Sequence, residues 1–368
     1  KETFIKHFPS EKNHLYKLVM KSLRSYHAEG SVGSTLKLEL KNIEILCDKG
    51  LYAEANKTLH RAKRIARDHE MLYYWFDLLN WEKVLLEEAY ESGEFTKDLD
   101  ALTAEEQVVI EKLRNLAAYH ILYSKINYVF RSGGHVRTDE EHAIVEEISE
   151  HQLIKGKNTA LSERAATICY YTQGFCYWAK RDWATSYAKF GRAKEIMDAN
   201  DHLRNDLQKR YIRTLDHLVQ CQIELGLYKE AAVSIEELKA LAQVPLYNRL
   251  DIETQIFING SLNDLRLLGR TGEFNQAMEL VPGILKGMEE KSPRIRKEHE
   301  LEIYYEMARI HFGAGEVNRS LFWLNKVLND PEPTLRQDIF IYARLFNLIV
   351  HYELGNNDLL EYIVRSTH

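Results

Sequence analysis

His217 and Cys221 stand four residues apart, a spacing that puts both on one face of a helix, and both are metal-ligand types. A zinc site needs a third and a fourth ligand, and none falls at a diagnostic spacing. Cys169 and Cys176, seven apart, read as small core residues two turns from each other, not as a redox pair. His299-Glu300 lacks the second histidine of a zincin, and Gly313-Ala-Gly315 follows no strand that would make it a nucleotide fingerprint. The carboxylate pairs Glu87-Glu88, Glu105-Glu106 and Glu146-Glu147 are adjacent on helices, so their side chains point about 100° apart and cannot share a proton. The aromatic run Tyr73-Tyr-Trp75-Phe76, with Trp81, offers either a ligand box or, more commonly, a packed helix. No catalytic constellation emerges; the expectation is a non-enzyme with no cofactor and no metal.

The 368 residues carry a formal charge of −6, which disfavours a nucleic-acid surface. The balance is +5 over residues 1–70 and −8 over 71–165. The run Lys57, Arg61, Lys63, Arg64, Arg67 reads as a solvated helix face in preference to an RNA or membrane patch. Four cysteines without a CxxC motif fit a reducing cytoplasm. No apolar run reaches the roughly 18 residues that span a bilayer, residues 1–6 lack the apolar core of a secretory signal, and no membrane partner is expected.

The elements are helices. Only 6 prolines and 18 glycines punctuate the chain, too few for the turns of an all-β protein. One pattern recurs. In Gly174-Phe-Cys-Tyr177 a small residue and an aromatic share a face; after a polar turn come Trp183, Ser186, Phe190 and Ala193 at helical spacing. The second half of the pattern returns as Gly50, Tyr52, Ala55, Leu59, Ala62; as Gly226, Tyr228, Ala231; as Gly272, Phe274, Ala277; and as Gly315, Val317, Ser320. A degenerate copy runs from Gly355 to Leu360. The glycine supplies the positive-φ residue that ends a helix, the aromatic plugs the junction, and the small residue admits the next helix closely. Aligned on Arg181, Gly226, Gly272, Gly315 and Gly355, the copies are spaced by 45, 46, 43 and 40 residues.

This signature resembles the tetratricopeptide superfamily, in its long-repeat branch, since the usual repeat is about 34 residues. The resemblance implies an all-α, right-handed superhelix of antiparallel hairpins. It divides the chain into an N-terminal helical cap (1–35), a first hairpin with a diverged acidic module (36–159) and a hairpin array (160–368). It also implies a protein- or peptide-binding scaffold. Carried over from such arrays, the concave face would present Tyr171, Phe175 and Trp178, then Arg213, Asp216 and Gln220, then Asn259, Arg266 and Arg270, then Tyr305, Arg309 and Phe312. Those aromatics and arginines suit a peptide with acidic side chains or a free carboxylate. Alternatively, the aromatics seal neighbouring helices and the arginines pair with Asp216, Glu302 and Glu224. Two other readings stay open: a peptide-sensing regulator, and a subunit of a larger, RNA-associated complex.

Between Gly50 and Arg181 no clean turn signature appears; helices are expected at about 69–92, 103–131 and 139–151. Asp98–Thr103 reads as a loop, with Thr103 and Glu106 as a capping box. Pro245, Pro293, Pro331 and Pro333 mark junctions, and Pro282 should kink or restart a helix. Leu359, Leu360, Ile363 and Val364 would form an uncapped apolar end.

Overall fold

A computed structural model of the chain describes residues 2–26, 31–88, 95–131, 136, 138–356 and 360. Among them there are helices and no strand: the protein is an all-α helical repeat. The chain divides into two compact units, residues 1–117 with 161–164 and residues 118–160 with 165–368. The division cuts one long helix.

The first unit holds α1 (Glu2–Tyr26), α2 (Val32–Asp48), α3 (Tyr52–Asp68), α4 (Leu72–Glu88) and the start of α5 (Phe95–Arg131). Helices α2 and α3 form a hairpin, and α4 packs on α3. The small stripe Ala55, Leu59, Ala62 and Ala66 is fully buried. Of the five basic residues on α3, Lys57 pairs with Glu54, Arg61 with Glu39, Lys63 with Glu82 and Glu105, and Arg67 with Asp68. That face is largely neutralised. The Trp75 indole N–H donates to Glu105 at 2.8 Å, so this aromatic belongs to packing.

Helix α5 begins at Phe95 and runs through the stretch expected to be a loop. Thr103 is therefore inside it, its hydroxyl donating to the Asp100 carbonyl at 3.0 Å, and caps nothing. Asp98 to Thr103 contains neither Gly nor Pro to break a helix. The reciprocal capping box sits instead at Thr138 and Glu141, opening α6 (Asp139–Glu150).

In the second unit α6 and the short α7 (Gln152–Lys155) precede α8 (Glu163–Ala179), whose first residues belong to the other unit. Then follow α9 (Trp183–Ala199), α10 (Asp201–Asp206), α11 (Gln208–Glu224), α12 (Tyr228–Ala240), α13 (Leu250–Thr271), α14 (Phe274–Lys291), α15 (Lys297–Gly313), α16 (Val317–Leu328) and α17 (Gln337–Glu353). Pairs α11/α12, α13/α14 and α15/α16 are hairpins, and α11, α13, α15 and α17 pack on one another in succession. Short 3-10 turns carry Pro245, Pro293 and Pro333, while α14 continues through Pro282 without restarting. Most of the degenerate copy after Gly355, the expected apolar end at Leu359, Ile363 and Val364, and most of the segment from Arg131 to Thr138 lie outside the described residues.

The reversals that end six first helices share one geometry, and the turn from α3 to α4 repeats it at Glu70 (φ 49°), with the Met71 N–H on the Ala66 carbonyl at 2.8 Å. Gly50, Gly226, Gly272, Gly315 and Gly355 have φ between 68° and 80°, and Arg181 stands in the same conformation at φ 57°. At each, the next N–H reaches back five residues, as Leu227 does to the Gln222 carbonyl at 2.8 Å and Asp182 to that of Tyr177 at 3.0 Å. The small residue of the following helix then sits against the preceding one. Ser186 and Ser320, both fully buried, donate to the carbonyls of Gly174 and Ala308 at 2.9 and 2.8 Å. Ala55, Ala193, Ala231 and Ala277 are likewise fully buried. Of the junction aromatics, Trp183 packs edge-on against Trp178 at 4.9 Å. Phe274 packs beside Gly313, whereas Tyr228 is 37% exposed. Tyr52 donates to Glu88, and Tyr177 is half-buried.

A Cβ on Gly174 would lie 2.6 Å from the Phe190 ring, while one on Gly191 would meet nothing within 4 Å. Gly174→Ala is expected to destabilise by about 1–3 kcal/mol through overpacking, and Gly191→Ala to stabilise by about 0.5–1 kcal/mol through helix propensity. Arg181→Gly should relieve a left-handed side chain and stabilise by about 1 kcal/mol. Urea denaturation of the three variants measures all of these shifts.

Candidate functional site

A cavity of about 960 Å³ in the second unit is lined by four helices and the entry to a fifth. Helix α5 gives Tyr123, Asn127 and Phe130; α8 gives Tyr171, Phe175 and Trp178; α11 gives Lys209, Arg213, Asp216, His217 and Gln220. Helix α13 adds Asp251, Thr254, Gln255 and Asn259, and the turn into α15 adds Arg294, Arg296 and His299. Each helix contributes residues three or four apart, the spacing of a single face.

One wall is aromatic. Phe130 and Phe175 lie 4.8 Å apart between ring centroids, and Tyr123 and Tyr171 5.7 Å apart. Tyr171 and Phe175 are 1% and 6% exposed, so they form a floor whose shape is set by packing. His217 is enclosed by rings: Phe175 at 4.9 Å, Phe190 at 5.1 Å, Trp178 at 5.6 Å and Tyr171 at 5.7 Å. Its Nδ1 is buried without a hydrogen-bond partner among the described residues. Burial pushes its pKa down to about 4; Arg213 and Arg266 press the same way against the opposing pull of Asp216. The ring is neutral at pH 7.

The other wall is polar and cationic. Lys209 pairs with Asp251 at 2.7 Å. Asp216 is held by the amides of Gln220 at 3.1 Å and Asn263 at 2.8 Å. Among the described residues the Arg296 side chain meets only the His299 ring, at 3.2 Å. Arg213 and Arg294 meet no carboxylate among the described residues. Four cations thus face two carboxylates in a chain whose overall charge is negative.

Seven of the twelve residues expected on the concave face come together here: Tyr171, Phe175, Trp178, Arg213, Asp216, Gln220 and Asn259. Tyr305, Arg309 and Phe312 instead line a cavity of about 380 Å³ farther along, with Tyr342 and Phe346. Arg266 and Arg270 line neither cavity. Arg270 pairs with Glu224 at 2.8 Å. Arg266 is committed to Glu302 and to Glu306. Burial alone would raise the Glu302 carboxyl, but Arg266 and Arg336 hold it well below the usual carboxylate range. These two arginines follow the alternative in which the cations pair with neighbouring helices. A third cavity, in the first unit, is lined by His60, Lys63, Arg64, Arg67, Trp75 and Glu105.

Sequence reasoning did not place Tyr123, Phe130, Arg294 or Arg296 on this surface, and weighed His217 only as a metal ligand beside Cys221. Tyr123, Asn127 and Phe130 carry a signal at i, i+4, i+7, in a helix without a repeat signature to set its phase. Arg294 and Arg296 flank a proline junction, where no helical period applies. His217 and Cys221 do not share a ligand site: the imidazole is caged by rings and the thiol lies 3.6 Å from the Ser186 hydroxyl. Among the described residues no three His, Cys, Asp or Glu gather as a metal site. Burial raises the thiols of Cys176 and Cys221 to about 11 and about 12, which leaves both weak nucleophiles.

Compared with known proteins, the chain matches no family model and no curated sequence.

Unfolded, the His217 ring titrates near its ordinary value of about 6.5, and folded at about 4. Between these values only the unfolded chain takes up the proton. Stability from this group is complete above pH 6.5 and falls as the pH drops towards 4, by up to about 3 kcal/mol. Urea denaturation at stepped pH should show this loss, and His217→Leu should flatten the profile over that window.

Proposed function

We propose that the second unit is a non-catalytic binding module of tetratricopeptide type. Its large cavity takes a peptide segment bearing an apolar side chain and a carboxylate. The observation that carries this reading is the pairing of Arg213 and Arg294, which meet no carboxylate among the described residues, with an aromatic floor in one concavity. Guanidinium forks suit a carboxylate, and packed rings offer contact area whose ordering is already complete before binding.

The chemistry of the lining supports binding over catalysis. The one imidazole among the rings is a weak base, and among the described residues no serine or thiol hydrogen-bonds its Nδ1. The four thiols are free, which fits work in a reducing compartment such as the cytoplasm. Among the described residues no helix is long and apolar enough to cross a membrane.

An array of short peptides varied in acidic and aromatic content tests the reading. Peptides with both features should bind, and Arg213→Glu combined with Arg294→Glu should weaken them about 10- to 100-fold, the worth of one or two charge-assisted hydrogen bonds. Arg270→Glu, outside the cavity, should bind as the parent does. Equal binding by the double variant, or a preference for neutral peptides, would overturn the assignment.

A further inference from the structure

Helices α11, α13 and α15 each receive the next helix of the series through one face. Aligned on the left-handed glycines, Asp216, Leu262, Tyr305 and Leu345 occupy one position on α11, α13, α15 and α17. On α11 that position accepts from the Asn263 amide of α13 at 2.8 Å, and on α15 it meets the Phe346 ring of α17 at 6.3 Å. One turn on, Arg266 of α13 pairs with Glu306 of α15 at 3.5 Å. Another turn on, Phe312 of α15 meets Phe346 at 5.1 Å. One turn back, Ile212, Ile258 and Leu301 are all buried.

On α17 these four positions are Ile341, Leu345, Ile349 and Tyr352. With Tyr342 beside them, they are between 49% and 67% exposed. Helix α17 packs on α15, α16 and the 3-10 turn before it, and buries Phe340, Ala343 and Val350 from its far side. The bare face is also not the one that a second helix covers. On α15, α16 takes Tyr304 and Ala308, whose counterparts on α17 are Arg344 and Leu348.

The chemistry of the row points to what fills it. Asp216 and Arg266 are charged and are answered by polar groups of the next helix; the receiving positions of α17 carry no charge. Ile341, Leu345 and Ile349 stand at i, i+4 and i+8, and the two tyrosines share their arc of about 100°. Asp338 falls within that arc at the first turn, but it is buried and gripped by Arg336 at 2.9 Å. Arg344 and Glu353 flank the arc without entering it. Five large side chains at these exposures leave on the order of 600 Å² bare, as much as the largest apolar patch of an ordinary monomer. That is most of the ~800 Å² that each partner of a standard interface covers. The cavity lined by Tyr305 and Phe312 adjoins the row through Tyr342, Leu345 and Ile349 and adds to the area. The row also reads alike from either end. A copy turned about a two-fold axis at Leu345 lays Ile349 of each copy on Ile341 of the other and leaves Arg344 at the solvated rim.

We propose that this protein pairs with a second copy of itself through the receiving face of α17, each copy standing where a next first helix would pack. The inference rests on the packing of the array and is independent of the peptide cavity.

Sedimentation equilibrium of the full chain at about 1–100 μM should show a dimer. Leu345→Glu with Ile349→Glu should raise its dissociation constant at least about 100-fold, and Val233→Glu, exposed on α12, should leave it unchanged. All three side chains are exposed, so circular dichroism of both variants should match the parent. Leu345→Cys, on the axis, should cross-link to its own copy under mild oxidation, whereas Val233→Cys should not. A parent that stays monomeric across the range overturns the proposal and assigns the face to a different chain or a further repeat. A dimer that survives the paired glutamates, or a Leu345→Cys variant that forms no more cross-link than Val233→Cys, overturns it as well.

Discussion

The repeat architecture rests on a backbone constraint at five hairpins. One residue must turn left-handed to end each first helix, and the next helix must then approach closely enough for a serine hydroxyl to touch a backbone carbonyl. Glycine meets the first demand, and Ala or Ser meets the second. Where both are met the hairpin angle repeats, and successive first helices are brought side by side. The aromatic floor and the cation-lined concavity follow from that, because only helices in register place Phe175, His217 and Asn259 around one space.

How much of this could be read beforehand depends on how local the cause is. The left-handed residue and the small residue after it act within a few positions, so Gly50, Gly226, Gly272 and Gly315 with their alanines or serines mark the hairpins in plain text. Arg181 carries the same backbone state without the glycine, and it is marked by the polar turn between the Gly174–Tyr177 stretch and the Trp183–Ala193 stripe. Helix starts were less legible. Thr103 and Glu106 have the letters of a capping box, but the chain before them has no breaker, and the helix extends back over them. The letters permit a cap; the preceding residues decide whether one is needed.

The candidate site shows the same boundary between local and distant causes. Helical period placed seven residues around one cavity, since the phase of α8 and α11 was pinned by adjacent turns. It placed Arg266 there too, but the fate of that guanidinium is decided by Glu302 and Glu306, 36 and 40 positions away. Arg294 and Arg296 illustrate the reverse: they arrive from a proline junction that no period describes.

The ion-pair network around Glu302 has a consequence for cooperativity. Arg266 comes from α13, Glu302 and Glu306 from α15, and Arg336 from the turn leading into α17, where it also grips Asp338 at 2.9 Å. Repeat arrays are usually treated as beads whose neighbours interact through apolar faces, so that terminal beads fray one at a time. Here a fraying α17 would draw Arg336 away and leave a buried carboxylate with half of its counter-charge. That raises the energy of the partly opened state above what lost apolar contact alone would set. The network thereby couples the opening of α17 to α13 and α15, beyond what apolar contact alone provides.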